Sequence, residues 1–230
     1  MSDETTEDRR VQFYFDYISP NAYLAWTQIH PLLARYGRRV DPVPVLFAGL
    51  LRAHDLLGPA EVRPKWRWMV RDIVRKAKLL DIPLGPPSSH PFNPLLALRV
   101  TSLPMDDVVR TRLIDGLFRA VWAGGSGATD PGQIAAVADE AGLDGRAAVE
   151  RAGESETKDR LRRQTDDAIF RGVFGVPTIV CGGQLFWGYD DLPHLEERLS
   201  GSLCYDPAEL DPWEKTPRGA TRRRSRIDSS

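Results

Sequence analysis

The stretch FDYISPNAYLAW, residues 15–26, decides the fold, because the backbone periodicity changes inside it. Ahead of it, residues 11–15 (VQFYF) are aromatic and alternating, which predicts a β-strand. Ser19 then offers a hydroxyl of the kind that caps a helix N-terminus, and the fixed φ of Pro20 suits the first helical position. A helix is expected over NAYLAWTQIHPLLARYG, stopping at Gly37, with a kink or break at Pro31. RRVDPVPVLF (38–47) reads as a second strand, with prolines that suit an edge or an irregular end.

From about residue 48 the pattern turns helical. Trp66, Met69, Val70, Ile73, Val74 and Ala77 follow the i, i+3, i+4, i+7 rule. A proline-dense loop (82–94) follows, then helical patterns at 94–103, 106–125, 130–143, 144–153 and 155–172. Asp130 and Pro131 mark one helix start. After Gly172 the period returns to that of strands: PTIVC, a Gly-Gly turn and QLFWG, then a last helix in LPHLEERLSG. The order is β-α-β, a helical block, then β-β-α. This predicts an α/β, thioredoxin-like domain at 11–47 and 166–203, with a large all-helical insertion at 48–165. Residues 1–10 and 206–230, the latter with five arginines in PRGATRRRSRIDSS, are expected to be disordered termini.

Composition narrows the function. The 230 residues carry a net charge of −1 with 42% hydrophobic residues, giving no basic domain for nucleic acid. No apolar run is long enough to span a bilayer, and MSDETTEDRR lacks a signal-peptide pattern, so a cytoplasmic protein is expected. The only cysteines, Cys181 and Cys204, cannot form a Cys-x-x-Cys motif or an all-cysteine zinc site. Cys181 reads as a buried structural thiol, and a disulfide between the two stays open. His30, His54 and His194 have no metal-ligand spacing, so no metal is expected.

Several residues carry two readings. Ser19 is either a plain cap or, at a helix N-terminus, a site for an anion such as a thiolate. Pro177 is either an ordinary strand opener or a cis proline facing that N-terminus, where the Val176 backbone can pair with an extended peptide. Tyr189 and Asp190 either start a helix, with Asp190 or Asp191 as cap, or hold a ligand's ammonium and carboxylate. Lys65 lies in a basic run that is either solvated or reaches a carboxylate. His90 and Asn93 either stiffen a loop or set polar atoms over a site, with Phe92 as an apolar wall. The stripe Trp66, Trp68, Met69 reads as core and cleft lining.

Together, FDYISPNAYLAW, GPAEVRPKWRWMVRDI, HPFNPLLALR, GVFGVPTIVCGG and LFWGYDDL, in this order over residues 11–203, resemble the 2-hydroxychromene-2-carboxylate isomerases. These belong with the kappa-class glutathione transferases in the DsbA-like group. The resemblance implies a glutathione cofactor. Ser19 and Ala22 stand where disulfide oxidases carry their cysteines, so redox chemistry fails and Ser19 would activate glutathione's thiol, which alone ionises at about pH 8.5. By the same resemblance Lys65 lies near the glycyl end, Val176 and Pro177 pair with the cysteinyl part, and Tyr189 and Asp190 hold the γ-glutamyl group. Tyr17, His90, Phe92 and Asn93 would line the substrate pocket. Two departures stand out. The family's asparagine before the inserted helix is missing from HDLLGPAEV, leaving His54, Asp55 or backbone to replace it, and Tyr189 replaces a serine common in the transferases. The implied activity is cis–trans isomerisation of a small aromatic substrate in aromatic catabolism, and a homodimer is compatible with it. A kappa-like transferase or peroxidase and a non-catalytic peptide-binding module are the alternatives.

Overall fold

A computed structural model describes residues 9–202, 205–217 and 219–220. Strand β1 (Arg10–Phe15) leads through α1 (Pro20–Ala34) to β2 (Arg39–Pro44). Seven helices follow: α2 (Phe47–His54), α3 (Arg63–Leu79), α4 (Leu95–Thr101), α5 (Asp107–Trp122), α6 (Pro131–Ala141), α7 (Gly145–Ala152) and α8 (Ser155–Phe170). The chain then returns as β3 (Thr178–Cys181), β4 (Gln184–Trp187) and α9 (Leu192–Ser200), and a last helical turn is α10 (Asp211–Glu214). The strands form one sheet in the order β2-β1-β3-β4. β1 is parallel to β2 (Phe13 opposite Pro42) and antiparallel to β3 (Phe13 opposite Ile179). This is the α/β thioredoxin-like arrangement with inserted helices.

Strand β1 is central, and its face of Val11, Phe13 and Phe15 is wholly apolar and buried. Val11, Phe13 and Phe15 bury against α1, while Tyr14 turns to the other side and meets Val45, Leu50, Ala168 and Val176. Pro42 and Pro44 sit in the edge strand β2, where missing N–H groups cost little. Pro31 neither kinks the chain out of α1 nor ends it. The helix runs to Ala34, because Ile29, Leu32 and Leu33 bury around the exposed proline and outweigh one lost hydrogen bond.

The insertion has no separate core. Phe118 of α5 packs edge-on against Tyr17 at 4.9 Å and lies 5.5 Å from Phe15 and 6.2 Å from Trp26. Sheet, α1 and inserted helices thus share one apolar cluster. The expected boundary at 165/166 falls within α8, which is one continuous helix. Pro207–Leu210 forms a 3-10 turn ahead of α10, inside the stretch read as disordered. Residues 1–8, 218 and 221–230, including all five arginines of the tail, lie outside the described residues, as does Cys204. Cys181 is half-buried rather than buried. No helix among the described residues is long and apolar enough to cross a membrane.

Candidate functional site

Ser19 caps α1 as expected. Its Oγ accepts from the Ala22 amide at 3.2 Å and donates to the carbonyl of Val176 at 3.2 Å. The Val176–Pro177 peptide is cis, and this loop lies against the start of α1. The Pro177 carbonyl accepts from the Gly188 amide at 2.9 Å, so the same loop also holds the turn that starts at Tyr189. Ser19, Val176, Pro177 and the Tyr189–Asp190 turn are therefore brought together from three segments. Asn21, on the first turn of α1, has a buried Oδ1 with no hydrogen-bond partner.

Each residue ahead of Ser19 is held. The Asp16 carboxylate accepts from the Ile18 amide at 3.0 Å and from the Phe47 amide at 2.9 Å, and its carbonyl accepts from the Ser19 amide. Burial pushes this carboxyl up to about 7, against the pull of those two amides. The Tyr17 carbonyl accepts from Trp122 Nε1 at 2.8 Å, and the Tyr17 hydroxyl pairs with Thr101 at 2.7 Å. His90 Nε2 reaches the Ile18 carbonyl at 3.0 Å. A carbonyl can only accept, so Nε2 carries the proton and the buried Nδ1 is left unprotonated and without a partner. Burial also lowers the His90 pKa, which keeps the ring neutral. The ring stacks on Trp66 at 4.4 Å and faces Phe92 at 6.4 Å. A second cis peptide, His90–Pro91, lies in the same loop.

Not every expected residue lines this site. Tyr17 is fully buried in the core, with its hydroxyl on Thr101, so it supports the site from below and borders no pocket. Asn93 is exposed and caps α4, accepting from the Leu95 amide at 3.1 Å. Lys65 is exposed on the first turn of α3, next to Trp66. Trp68 points to solvent and lines no cleft. His54 props the cis-proline loop by contacting the Val173 carbonyl at 3.0 Å. Asp190 caps nothing, and Asp191 instead accepts from the Trp187 amide at 2.7 Å.

Sequence reasoning missed Lys76. Its ammonium bonds Asp190 at 2.7 Å and Asp72 at 2.6 Å and lies 5.3 Å from the Tyr189 ring centre. Burial pulls its pKa down, but the two carboxylates outweigh this and raise it. The sequence signal was only one of the two lysines in RKAKLL, a run that reads as a basic face. A cavity of about 550 Å³ borders Tyr189 and Asp190 along the outer side of α1, and Ser19 does not line it. Among the described residues no cluster of three or more His, Cys, Asp or Glu side chains could hold a metal ion.

Comparison with known proteins agrees with this fold. The model of the DsbA-like thioredoxin domain matches residues 10–200. A 2-hydroxychromene-2-carboxylate isomerase of Pseudomonas putida is 30% identical over 87% of this chain and 98% of its own. Glutathione S-transferase kappa 2 of Caenorhabditis elegans is 28% identical over 83% of this chain and 91% of its own. A solved 2-hydroxychromene-2-carboxylate isomerase superposes with a TM-score of 0.77 at 30% identity, covering 87% of this chain and 98% of that one. A serine-capped first helix, a cis-proline loop facing it and this breadth of likeness lead to one assignment: the chain belongs to the DsbA-like thioredoxin-domain family, among the 2-hydroxychromene-2-carboxylate isomerases and their kappa-class glutathione transferase relatives.

Proposed function

We propose that the protein is a glutathione-dependent isomerase of the 2-hydroxychromene-2-carboxylate type, acting on an aromatic unsaturated pyruvate. The observation that carries this reading is Ser19 Oγ at the N-terminus of α1, 3.2 Å from the carbonyl before the cis proline, in a fold that supplies no cysteine there. When bound, glutathione would supply a thiolate that adds to the conjugated carbon of the side chain, letting the former double bond rotate before the thiolate leaves. The Ser19 hydroxyl, whose one hydrogen here goes to the Val176 carbonyl, would turn that hydrogen to the thiolate when the cofactor binds, and the N–H groups and dipole of α1 favour negative charge beside it. The Val176 backbone provides an edge for a peptide-like cofactor. Lys76 and Asp190 present one charge of each sign, complementary to the zwitterionic end of a γ-glutamyl group. Lys65 remains the candidate for the glycyl carboxylate, and His90 and Phe92 for the aromatic substrate.

The test mixes purified protein, the chromene acid and glutathione and follows interconversion by absorbance. Turnover should require glutathione and fall about 10²-fold in Ser19→Ala, the usual loss on removing one donor to a developing anion. Interconversion unchanged without glutathione, or indifferent to Ser19→Ala, would overturn the proposal. The kappa-class relative supports a second reading, conjugation of another electrophile by the same thiol site. A panel of electrophiles separates the two.

A further inference from the structure

The site described so far makes no chemical use of Asp16, yet Asp16 is a fully buried carboxyl just beneath it. Among the described residues no Lys, Arg or His lies within ion-pair distance of it. A buried charge without a cation is strongly disfavoured unless hydrogen bonds compensate. Both oxygens do have partners, and these belong to two different elements. One is the Ile18 amide, which closes a local turn two residues ahead and fixes the backbone leading into Ser19. The other is the Phe47 amide, the first N–H of α2. That helix has Leu46 at its cap position, so no side chain of its own satisfies this amide. Asp16 is therefore the cap of a helix to which it does not belong, and the tie runs through the loop that presents Ser19.

Resting on the reading of Ser19 as the thiol-activating residue, we infer that Asp16 is its positioning residue, the ionised carboxylate bridging the Ser19 loop to the uncapped start of α2. The ionised form accepts at both oxygens equally. Protonation places a hydrogen on one of them and weakens one of the two ties. The Ser19 hydroxyl is then less firmly directed at the cis-proline loop. Asp16 touches no substrate in this scheme and acts only through Ser19.

Titration near the site has other sources, which the experiment must separate. His90 bonds the Ile18 carbonyl from the loop after α3, and Tyr17 follows Asp16 directly. Arg110 of α5 reaches the Thr101 carbonyl near the Tyr17 hydroxyl. Thr165 of α8 bonds the Leu46 amide and does not titrate. Full-length ¹⁵N-labelled protein would be followed by NMR from acid to alkaline pH in the wild type, Asp16→Asn and His90→Gln, together with pH profiles of kcat and KM. The Ile18 and Phe47 amides should shift together with one midpoint near 7, keep that transition in His90→Gln and lose it in Asp16→Asn. In Asp16→Asn kcat should fall about 10²-fold, the scale of a small misplacement of a catalytic group, and its acid limb should flatten. KM for glutathione should stay within a few-fold. An unchanged amide transition in Asp16→Asn, or an unchanged kcat profile, would overturn the inference. If the asparagine variant does not fold, the ¹³C titration of the Asp16 carboxyl in the wild type decides the matter, and absence of a transition common to it and both amides sinks the idea. Should the wild type show no glutathione-dependent turnover, the proposed function fails, while the amide titration still tests the tie.

Discussion

Lys76 lies with its side chain only 12% exposed, between Asp72 and Asp190, while Asp190 itself is 72% exposed. Its role in the proposed site is to fix that carboxylate and to add a cation beside Tyr189. Lys76→Met should weaken glutathione binding about tenfold by calorimetry, the scale of one charge-assisted hydrogen bond, and should leave kcat nearly unchanged. An unchanged affinity would remove Lys76 and Asp190 from the cofactor site. Ser19 and Val176-Pro177 were legible in the sequence, because capping chemistry and X-Pro geometry are local. Lys76, Asp16 and Trp122 were not, because each acquires its role from a partner far along the chain: Lys76 from Asp190, Asp16 from Phe47, Trp122 from Tyr17. Tyr17 gains its partner, Thr101, in the same long-range way, whereas Asn93 accepts from the Leu95 amide only two residues on, a local bond at the start of α4.

At the scale of elements, α5 does two jobs. Phe118 joins the insertion to the sheet through Phe15, Tyr17 and Trp26, and Trp122 one turn later holds the Tyr17 carbonyl two residues before Ser19. Phe118→Ala should destabilise the whole chain by about 3–5 kcal/mol in urea denaturation, the cost of an aromatic-sized core cavity. The transition should remain single. Two separated transitions would mean that the insertion folds on its own. The order of strands and helices was readable because periods of 2 and 3.6 are written in the local pattern. The end of the insertion was not, because α8 serves both parts: Thr165 bonds Leu46 and Ala168 packs beneath Tyr14. No compositional break marks such a shared helix. Likewise the proline signal at Pro31 is local, whereas the burial that overrides it is not.

For the molecule as a whole, the Asp16 carboxyl links stability to pH. Its folded pKa, about 7, lies above the ordinary value of 3.8, so between those two values the native state binds more protons than the unfolded chain. Stability is therefore fully present below the lower value and declines as pH rises through the upper one. The decline amounts to at most about 4 kcal/mol. Urea denaturation at pH 5 and pH 8 should show the wild type losing stability over this interval, and Asp16→Asn losing distinctly less. Equal losses would mean that Asp16 titrates as an ordinary carboxyl. The form favoured by stability is thus the protonated one, and the form that ties Ser19 to α2 is the less stable one.

The bond between Ser19 and Val176 spans 157 positions of sequence. The loop ahead of Ser19 is held meanwhile by His90, Thr101 and Trp122, all contributed by the stretch between. Such distant pairings form only after the entropy of closing long loops has been met. During synthesis the first helix and its serine emerge before the cis-proline loop, so the Ser19–Val176 pairing does not exist until that loop has followed the whole insertion off the ribosome. A ligand that bridges Ser19 and Val176 should slow global unfolding rather than local opening.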